Sequence, residues 1–359
     1  MNRLQGSVRA DLGRRQLFFG AAVVAGGAVV AGCTSNEPQD VGSDTRAADA
    51  PRQPAADKPG KPVTIGFSAP AADHGWIAAI TANADSQAKS YSEVTLEKVE
   101  ATNDIAKQIA AVETLINKKV DALVILPNDG KQLTAVAQKA TDAGIPVINL
   151  DRIFDTPLSY RCWIGGDNYG MGVAAANFIA ERLDSEGVSN PVIAEIAGID
   201  SLPLTQERSQ GFKDALAKAG LEVKNRVAAD FTVPGGQRVT SNLLQAAPKI
   251  DAIWNHDDDQ GIGVLAAIDQ ANRDEFFMVG GAGSSDMMER IKADDTVIKC
   301  TVTYNPSMAS SAVSLARLVA QAKGMSDLVE NEIPKMITLA SATITKDNVD
   351  EYLELGFRS

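Results

Sequence analysis

Pro146-Val147-Ile148-Asn149-Leu150-Asp151-Arg152 is a short apolar run that stops abruptly at a carboxylate and a guanidinium. Interior strands of an open parallel α/β sheet are buried on both faces, so charge is expelled to their ends, and ligands bind beyond their carboxyl ends. The stretch therefore predicts a buried strand over Val147 to Leu150 with Asp151 and Arg152 at its carboxyl end. Taken alone, such a pair could equally be a solvated surface ion pair, which contributes little. The residues at the other strand ends decide between the two.

The surrounding pattern repeats this unit. Strands are predicted at Val63 to Phe67, Val94 to Val99, Ala122 to Leu126, Val147 to Leu150, Cys162 to Ile164, Val192 to Ala197, Val223 to Ala228, Ala252 to Trp254, Phe276 to Val279 and Val297 to Thr303. Helical spacing of apolar residues fills the gaps between them. Typical is the helix opened by Asn103-Asp104-Ile105, with Ile109, Val112, Leu115 and Ile116 on one face and Asn103 or Asp104 as N-cap. Such alternation predicts an α/β chain with parallel sheets, and right-handed crossovers place all strand-to-helix loops on one edge. At 359 residues two lobes are expected. The polar stretch Asp167-Asn168-Tyr169-Gly170 is the expected first crossing between them.

Before this region lies a segment of different character. Arg14-Arg15-Gln16-Leu17-Phe18-Phe19 leads into a Gly/Ala/Val-rich run ending at Val30-Ala31-Gly32-Cys33, which resembles a lipoprotein signal with twin-arginine character. A transmembrane helix would need about 20 apolar residues, more than Leu17 to Gly32 supplies. The resemblance implies export by the general or the twin-arginine route and lipidation of Cys33, so that acyl chains hold the domain at a membrane surface. Residues 34–61, rich in Pro, Ala, Asp and Ser without hydrophobic periodicity, read as a flexible tether.

Loss of residues 1–32 would remove four arginines and one aspartate and take the net charge from −12 to −15. That acidity argues against nucleic acid and anionic surfaces as partners. Cys162 and Cys300, both in strand-like runs, are expected to be buried free thiols rather than a disulfide.

Aromatic residues make up only 5% of the chain, so an aromatic beside polar strand-end residues is informative. The strand-end loops carry Asp73-His74-Gly75-Trp76, Asp151-Arg152, Ala229-Asp230-Phe231, His256-Asp257-Asp258-Asp259 and Tyr304-Asn305-Pro306, and Glu207-Arg208 precedes a further helix. Carboxylates and a planar guanidinium can bridge adjacent hydroxyls while a ring face packs on sugar C–H groups. Competing readings exist for each: Trp76 as the first core residue of its helix, Arg208 as a surface charge, Asp258 or Asp259 as an N-cap, which leaves Asp257 the better ligand candidate. A metal at His256 to Asp259 is disfavoured because adjacent side chains on an extended segment diverge.

From Val63 onward the chain resembles the type I periplasmic solute-binding proteins, in particular the ribose-binding branch serving sugar ABC importers. The matching stretches are Pro146 to Arg152, Ile164-Gly165-Gly166-Asp167-Asn168, Glu207-Arg208-Ser209-Gln210-Gly211-Phe212, Ala229-Asp230-Phe231 and Thr301-Val302-Thr303-Tyr304-Asn305-Pro306. The resemblance implies two Rossmann-like lobes with parallel sheets joined by a three-segment hinge, residues 62–166 with 305–335 forming one lobe and 167–304 with 336–359 the other. It implies a ligand site of Asp73, His74, Trp76, Asp151, Arg152, Arg208, Phe231, Asp257 and Tyr304, with no cofactor and no metal. Tyr304 stands where the family usually has Gln, and Gly281-Ala282-Gly283 stands where it commonly has an Asp. A pentose other than ribose, a hexose or a short polyol is therefore expected as ligand, with an ABC permease as partner or, alternatively, a membrane sensor.

The enzyme reading is weaker. Gly281-Ala282-Gly283-Ser284-Ser285 lacks the third glycine of the dinucleotide pattern, and the sequence has two histidines, with no nucleophile elbow or zinc-protease motif. A sugar-responsive transcription regulator would begin with a helix-turn-helix rather than an export signal.

Overall fold

The computed structural model describes residues 59–323 and 333–359; the signal-like segment, Cys33 and nearly all of the expected tether lie outside them. The chain alternates β1 (Val63–Ser68), α1 (Gly75–Ser90), β2 (Val94–Lys98), α2 (Ile105–Asn117), β3 (Ala122–Ile125), α3 (Gly130–Asp142), β4 (Val147–Leu150) and β5 (Cys162–Gly166). The pattern then repeats: α4 (Asn168–Ser185), β6 (Ile193–Ala197), α5 (Pro203–Lys218), β7 (Val223–Ala228), α6 (Val233–Ala246), β8 (Ala252–Asn255), α7 (Asp258–Ala271), β9 (Phe277–Ala282), α8 (Ser285–Ala293) and β10 (Ile298–Thr303). It closes with α9 (Met308–Ala320), β11 (Met336–Leu339), β12 (Thr343–Thr345) and α10 (Val349–Tyr352).

Two six-stranded sheets result, ordered β2-β1-β3-β4-β5-β11 and β7-β6-β8-β9-β10-β12. Every pairing is parallel except β12 against β10. The interior strands β3, β4 and β8 are buried at every position, as sheets covered on both faces require. In the first lobe α2 and α3 cover one face, with Val112, Leu115, Leu133 and Val136 packed on Leu123, Ile125 and Val147. Helices α1 and α9 pack together on the other. In the second lobe α6 pairs with α7 and α4 with α5.

Each sheet has the order in which the chain first runs outward and then reverses, so each has a switch point, between β1 and β3 and between β6 and β8. In such sheets the loops beyond the carboxyl ends part at the switch point and leave a crevice. The two crevices face one another.

The chain crosses between lobes three times. The first crossing lies at Asp167, whose side chain accepts from Gly170 N and starts α4. The second follows β10 at Tyr304 to Ser307, and the third runs through Ala340 to Ala342, between β11 and β12. The expected third boundary, at 335/336, is corrected here: β11 pairs with β5 in the first sheet, so 336–339 belong to the first lobe. Neither β11 nor β12 is visible as a strand from sequence. β11 is an edge strand with partly exposed side chains, and β12 is three residues long, so neither carries the continuous apolar run that marks buried strands.

Helix starts follow the expected chemistry. Asp104 is the N-cap of α2, accepting from Lys107 N at 3.0 Å. Cys162 and Cys300 are free and buried.

Candidate ligand-binding cleft

Between the lobes lies a pocket whose walls include His74, Trp76, Asp151 and Arg152 from the first lobe and Arg208, Phe231 and Asp257 from the second, with Tyr304 at the hinge and Leu204 and Ala282 completing it. Of the nine residues expected at the site, eight thus face one pocket. Asp73 does not. It lies on an adjoining outer cavity, bonded to His74 and, at 3.0 Å, to Asn103 Nδ2.

Three of the lining residues, Asp151, Phe231 and Ala282, hold the left-handed backbone conformation, with φ of 61°, 68° and 86°. Non-glycine residues adopt it at a cost, and such strain gathers at binding sites when the surrounding fold dictates it. Asp151 follows β4, where the sharp turn redirects its carboxylate from the strand into the pocket. Arg152 anchors its Nη1 on the carbonyl of Asn128 at 2.8 Å, while its Nε is buried without a protein partner. Burial lowers its pKa, though Asp151 and Asp73 oppose that.

Trp76 opens α1. The reading of Trp76 as core and the reading as ligand platform are both satisfied: it is buried in the core cluster and also lines the pocket. Its indole Nε1 donates to the Tyr304 carbonyl at 2.8 Å, and the two rings lie 5.8 Å apart. The Tyr304 hydroxyl donates to Asp151 Oδ1 and accepts from Gly166 N and Asn168 Nδ2, both at 3.3 Å. Burial, reinforced by Asp151, pushes that hydroxyl far above the ordinary phenol value.

Arg208 is buried, not a surface charge. Its Nε donates to Asn168 Oδ1 at 3.0 Å, its Nη1 to the His256 carbonyl at 3.2 Å, and its guanidinium lies 4.5 Å from the Tyr304 ring centroid. Behind it the His256 imidazole turns into the core, 3.0 Å from Glu195 Oε1, its ring centroid 4.1 Å from that of Trp254 and tilted 41° to it. Burial drives His256 down to about 4, so the neutral ring donates to an ionised Glu195. Glu195 is held below its usual range, against its burial, by His256, Ser209 and Arg226.

The aspartate run disperses, as adjacent side chains should. Asp257, not Asp258 or Asp259, is the N-cap of α7, accepting from Gln260 N at 3.0 Å, while still lining the pocket. That corrects the expected division of roles. Helix α7 already begins at Asp258, and the extended backbone at 257 (φ −153°) is the capping conformation. Asp258 accepts from Gly281 N, Gly283 N and Ser284 N at 2.9, 3.0 and 2.8 Å, so it organises the loop that carries Ala282. Asp259 accepts from Trp76 N, across the cleft, at 2.9 Å. Burial and then Asp259 push Asp257 up to about 7. Burial opposes charge on His74, but Asp73 bonded to it and Asp257 and Asp259 facing it hold its pKa above the ordinary value.

Residues 65–324 match the family described as periplasmic binding protein domain. The chain belongs to that family. Among its relatives is the ribose import binding protein RbsB of Bacillus subtilis, 32% identical over 248 residues, 69% of this chain and 78% of that one. Another is the galactofuranose-binding protein YtfQ of Escherichia coli, 27% identical over 303 residues, covering 82% of this chain and 91% of the relative. A Mycobacterium smegmatis protein solved with β-D-fucofuranose superposes with a TM-score of 0.73 at 27% identity, over 81% of this chain and 94% of its own. This periplasmic binding protein is of type I, on the ribose-binding branch, a family of extracytoplasmic solute binders rather than enzymes.

Sequence reasoning did not name Leu204, Ala282 or Asn168 as part of the site in this binding protein. Asn168 lay in a stretch read as a crossing, and its amide links Arg208 to Tyr304 only once the lobes are assembled. Leu204 and Ala282 carry no polar signal. Leu204 lies in the first turn of α5 and Ala282 is the last residue of β9, and the packing of the lobes brings both to the pocket.

Proposed function

We propose that this protein captures a neutral carbohydrate or polyol in the interlobe pocket and closes on it, delivering it to an ABC permease as a lipid-anchored component. The observation that carries the reading is the composition of the pocket: two aromatic faces, Trp76 and Phe231, from opposite lobes, with Asp151 and Arg152 facing Asp257 and Arg208. Rings pack on the C–H surfaces of a sugar, while the carboxylates accept from and the guanidiniums donate to its hydroxyls. A ligand contacting both lobes has higher affinity for the closed form and shifts the population toward it. Similarity to a ribose import protein and to galactofuranose- and fucofuranose-binding proteins supports both the ligand class and the transport role. Asp73 contributes by orienting His74 rather than by direct contact.

Anchoring rests on the sequence Val30-Ala31-Gly32-Cys33. Wild-type protein is expected in the membrane fraction and a Cys33→Ala variant in the soluble fraction.

The test of binding is a thermal-shift screen of residues 61–359 against pentoses, hexoses, polyols and nucleotides. A ligand at about 100 times its dissociation constant adds roughly 2.7 kcal/mol. A shift with a sugar or polyol that disappears in Arg152→Ala supports the proposal. A response confined to nucleotides would refute it.

A further inference from the structure

The second lobe brings two charged side chains to the pocket, Arg208 from α5 and Asp257 from the turn between β8 and α7. They are far apart in the chain, yet a single carboxylate beneath them ties their immediate neighbours together. That carboxylate is Glu195, in the middle of β6 and wholly buried. Its Oε1 accepts from the hydroxyl of Ser209, the residue after Arg208. The same oxygen accepts from Nε2 of His256, the residue before Asp257, at 3.0 Å. Arg208 closes the circuit by donating from Nη1 to the His256 carbonyl at 3.2 Å. Arg226 of β7 approaches Oε1 as well, its Nε at 3.3 Å.

A carboxylate at this place is costly. Side chains alternate along a strand, so Glu195 shares its face with Ile193 and Ala197, both apolar and buried. Glu195 Oε2 and His256 Nδ1 are buried without a protein partner. Replacing a buried ion pair by a well-packed apolar group is often neutral or stabilising, so stability alone does not account for the residue. What Glu195 supplies is a fixed spacing: it joins α5 to the turn before α7 at the residues adjoining Arg208 and Asp257. Glu195, Ser209, Arg208 and His256 all lie in the second lobe, so the arrangement does not depend on closure. A half-site set in advance costs the ligand less ordering on binding.

We propose that Glu195 is a positioning residue of the binding site, which through Ser209 and His256 sets the spacing and direction of Arg208 and Asp257 and thereby the affinity of the cleft. The inference deepens the carbohydrate reading above, on which it rests for the part Arg208 and Asp257 play toward the ligand.

Two measurements test it on Glu195→Met, which keeps the bulk and removes the acceptor, Glu195→Gln, which keeps one acceptor oxygen, and Ser209→Ala, which cuts one bond. The first is the nitrogen-15 NMR signal of the arginine Nε–H groups in the ligand-free protein, assigned for Arg208 and Arg152 by their loss in Arg208→Lys and Arg152→Lys. The second is calorimetric titration with D-ribose, D-galactose and myo-inositol. In Glu195→Met the Arg208 signal is expected to move or broaden while that of Arg152 stays. Affinity for whichever of the three binds is expected to fall about tenfold to a hundredfold, as loss of support behind a contact residue does. Glu195→Gln should recover most of both effects, and Ser209→Ala should show a smaller loss in the same direction. In an Arg208→Lys background Glu195→Met should cost little further affinity, because the two act through one contact. An unmoved Arg208 signal in Glu195→Met and Ser209→Ala overturns the inference, as does an equal disturbance of Arg152 or an undiminished loss of affinity in the Arg208→Lys background. If Glu195→Met does not fold, Ser209→Ala and Glu195→Gln decide by the same signals. Silence toward all three probes counts against the carbohydrate reading, while the Arg208 signal still decides the positioning role.

Discussion

Helix α1 of the first lobe has no cap of its own: its N-cap residue, His74, makes no side-chain capping bond. The cap comes from the other lobe, where Asp259 Oδ2 accepts from Trp76 N at 2.9 Å. Removing an N-cap costs about 0.5–2 kcal/mol. Because donor and acceptor belong to different lobes, Asp259→Ala is expected to place that cost on the closed form and leave the separated lobes unaffected. Apparent affinity falls with the population of the competent state, so at about 1.4 kcal/mol per decade the loss is roughly 2- to 30-fold. Gly75→Ala should act in the same direction, since a Cβ there would lie 2.3 Å from the Arg358 carbonyl oxygen of the second lobe. Calorimetric titration with the sugar found by screening gives the affinity, and small-angle scattering with and without it gives the degree of closure. The reasoning is refuted if Asp259→Ala keeps wild-type affinity while the melting temperatures of the free and the saturated protein drop equally, because the cap would then persist when the lobes part.

Other expectations follow from single groups. Arg152→Ala should abolish measurable sugar binding while circular dichroism stays native, since the side chain lies at the pocket and its main protein bond is to one loop carbonyl. Folded-state pKa values are raised for His74 and, to about 7, for Asp257, so both favour folding most at low pH. The Asp257 contribution is full below about pH 4, its unfolded value, and is lost as pH rises through about 7; that of His74 is full below about 6.5 and lost above it. The melting temperature of the closed protein should therefore fall between pH 5 and 8, and Asp257→Asn, which keeps a good capping residue, should flatten the fall. Cys162, pushed up to about 11 by burial, and Cys300, pushed higher still, should resist thiol reagents at pH 8 until the protein unfolds.

The sequence alone carries a great deal about this protein, because its information is local. Apolar runs such as Val147 to Leu150, ending in charge, mark buried parallel strands, and Asp104 before an amphipathic stretch marks a helix start. Right-handed crossovers then put the strand-end loops on one edge, so Trp76, Asp151, Arg152, Phe231 and Tyr304 could be named before any contact was known. What local pattern cannot carry is the pairing of distant segments. The placement of β11 beside β5 in the first sheet depends on where a short edge strand finds unpaired backbone. The division of labour among Asp257, Asp258 and Asp259 depends on three directions of space: its own helix, the 281–284 loop and the opposite lobe. The joining of Tyr304 to Trp76 and to Asp151, far apart in the chain, exists only in the assembled fold. Tertiary structure decided these points because hydrogen-bond capacity is local to each residue, whereas its partner is supplied by the fold.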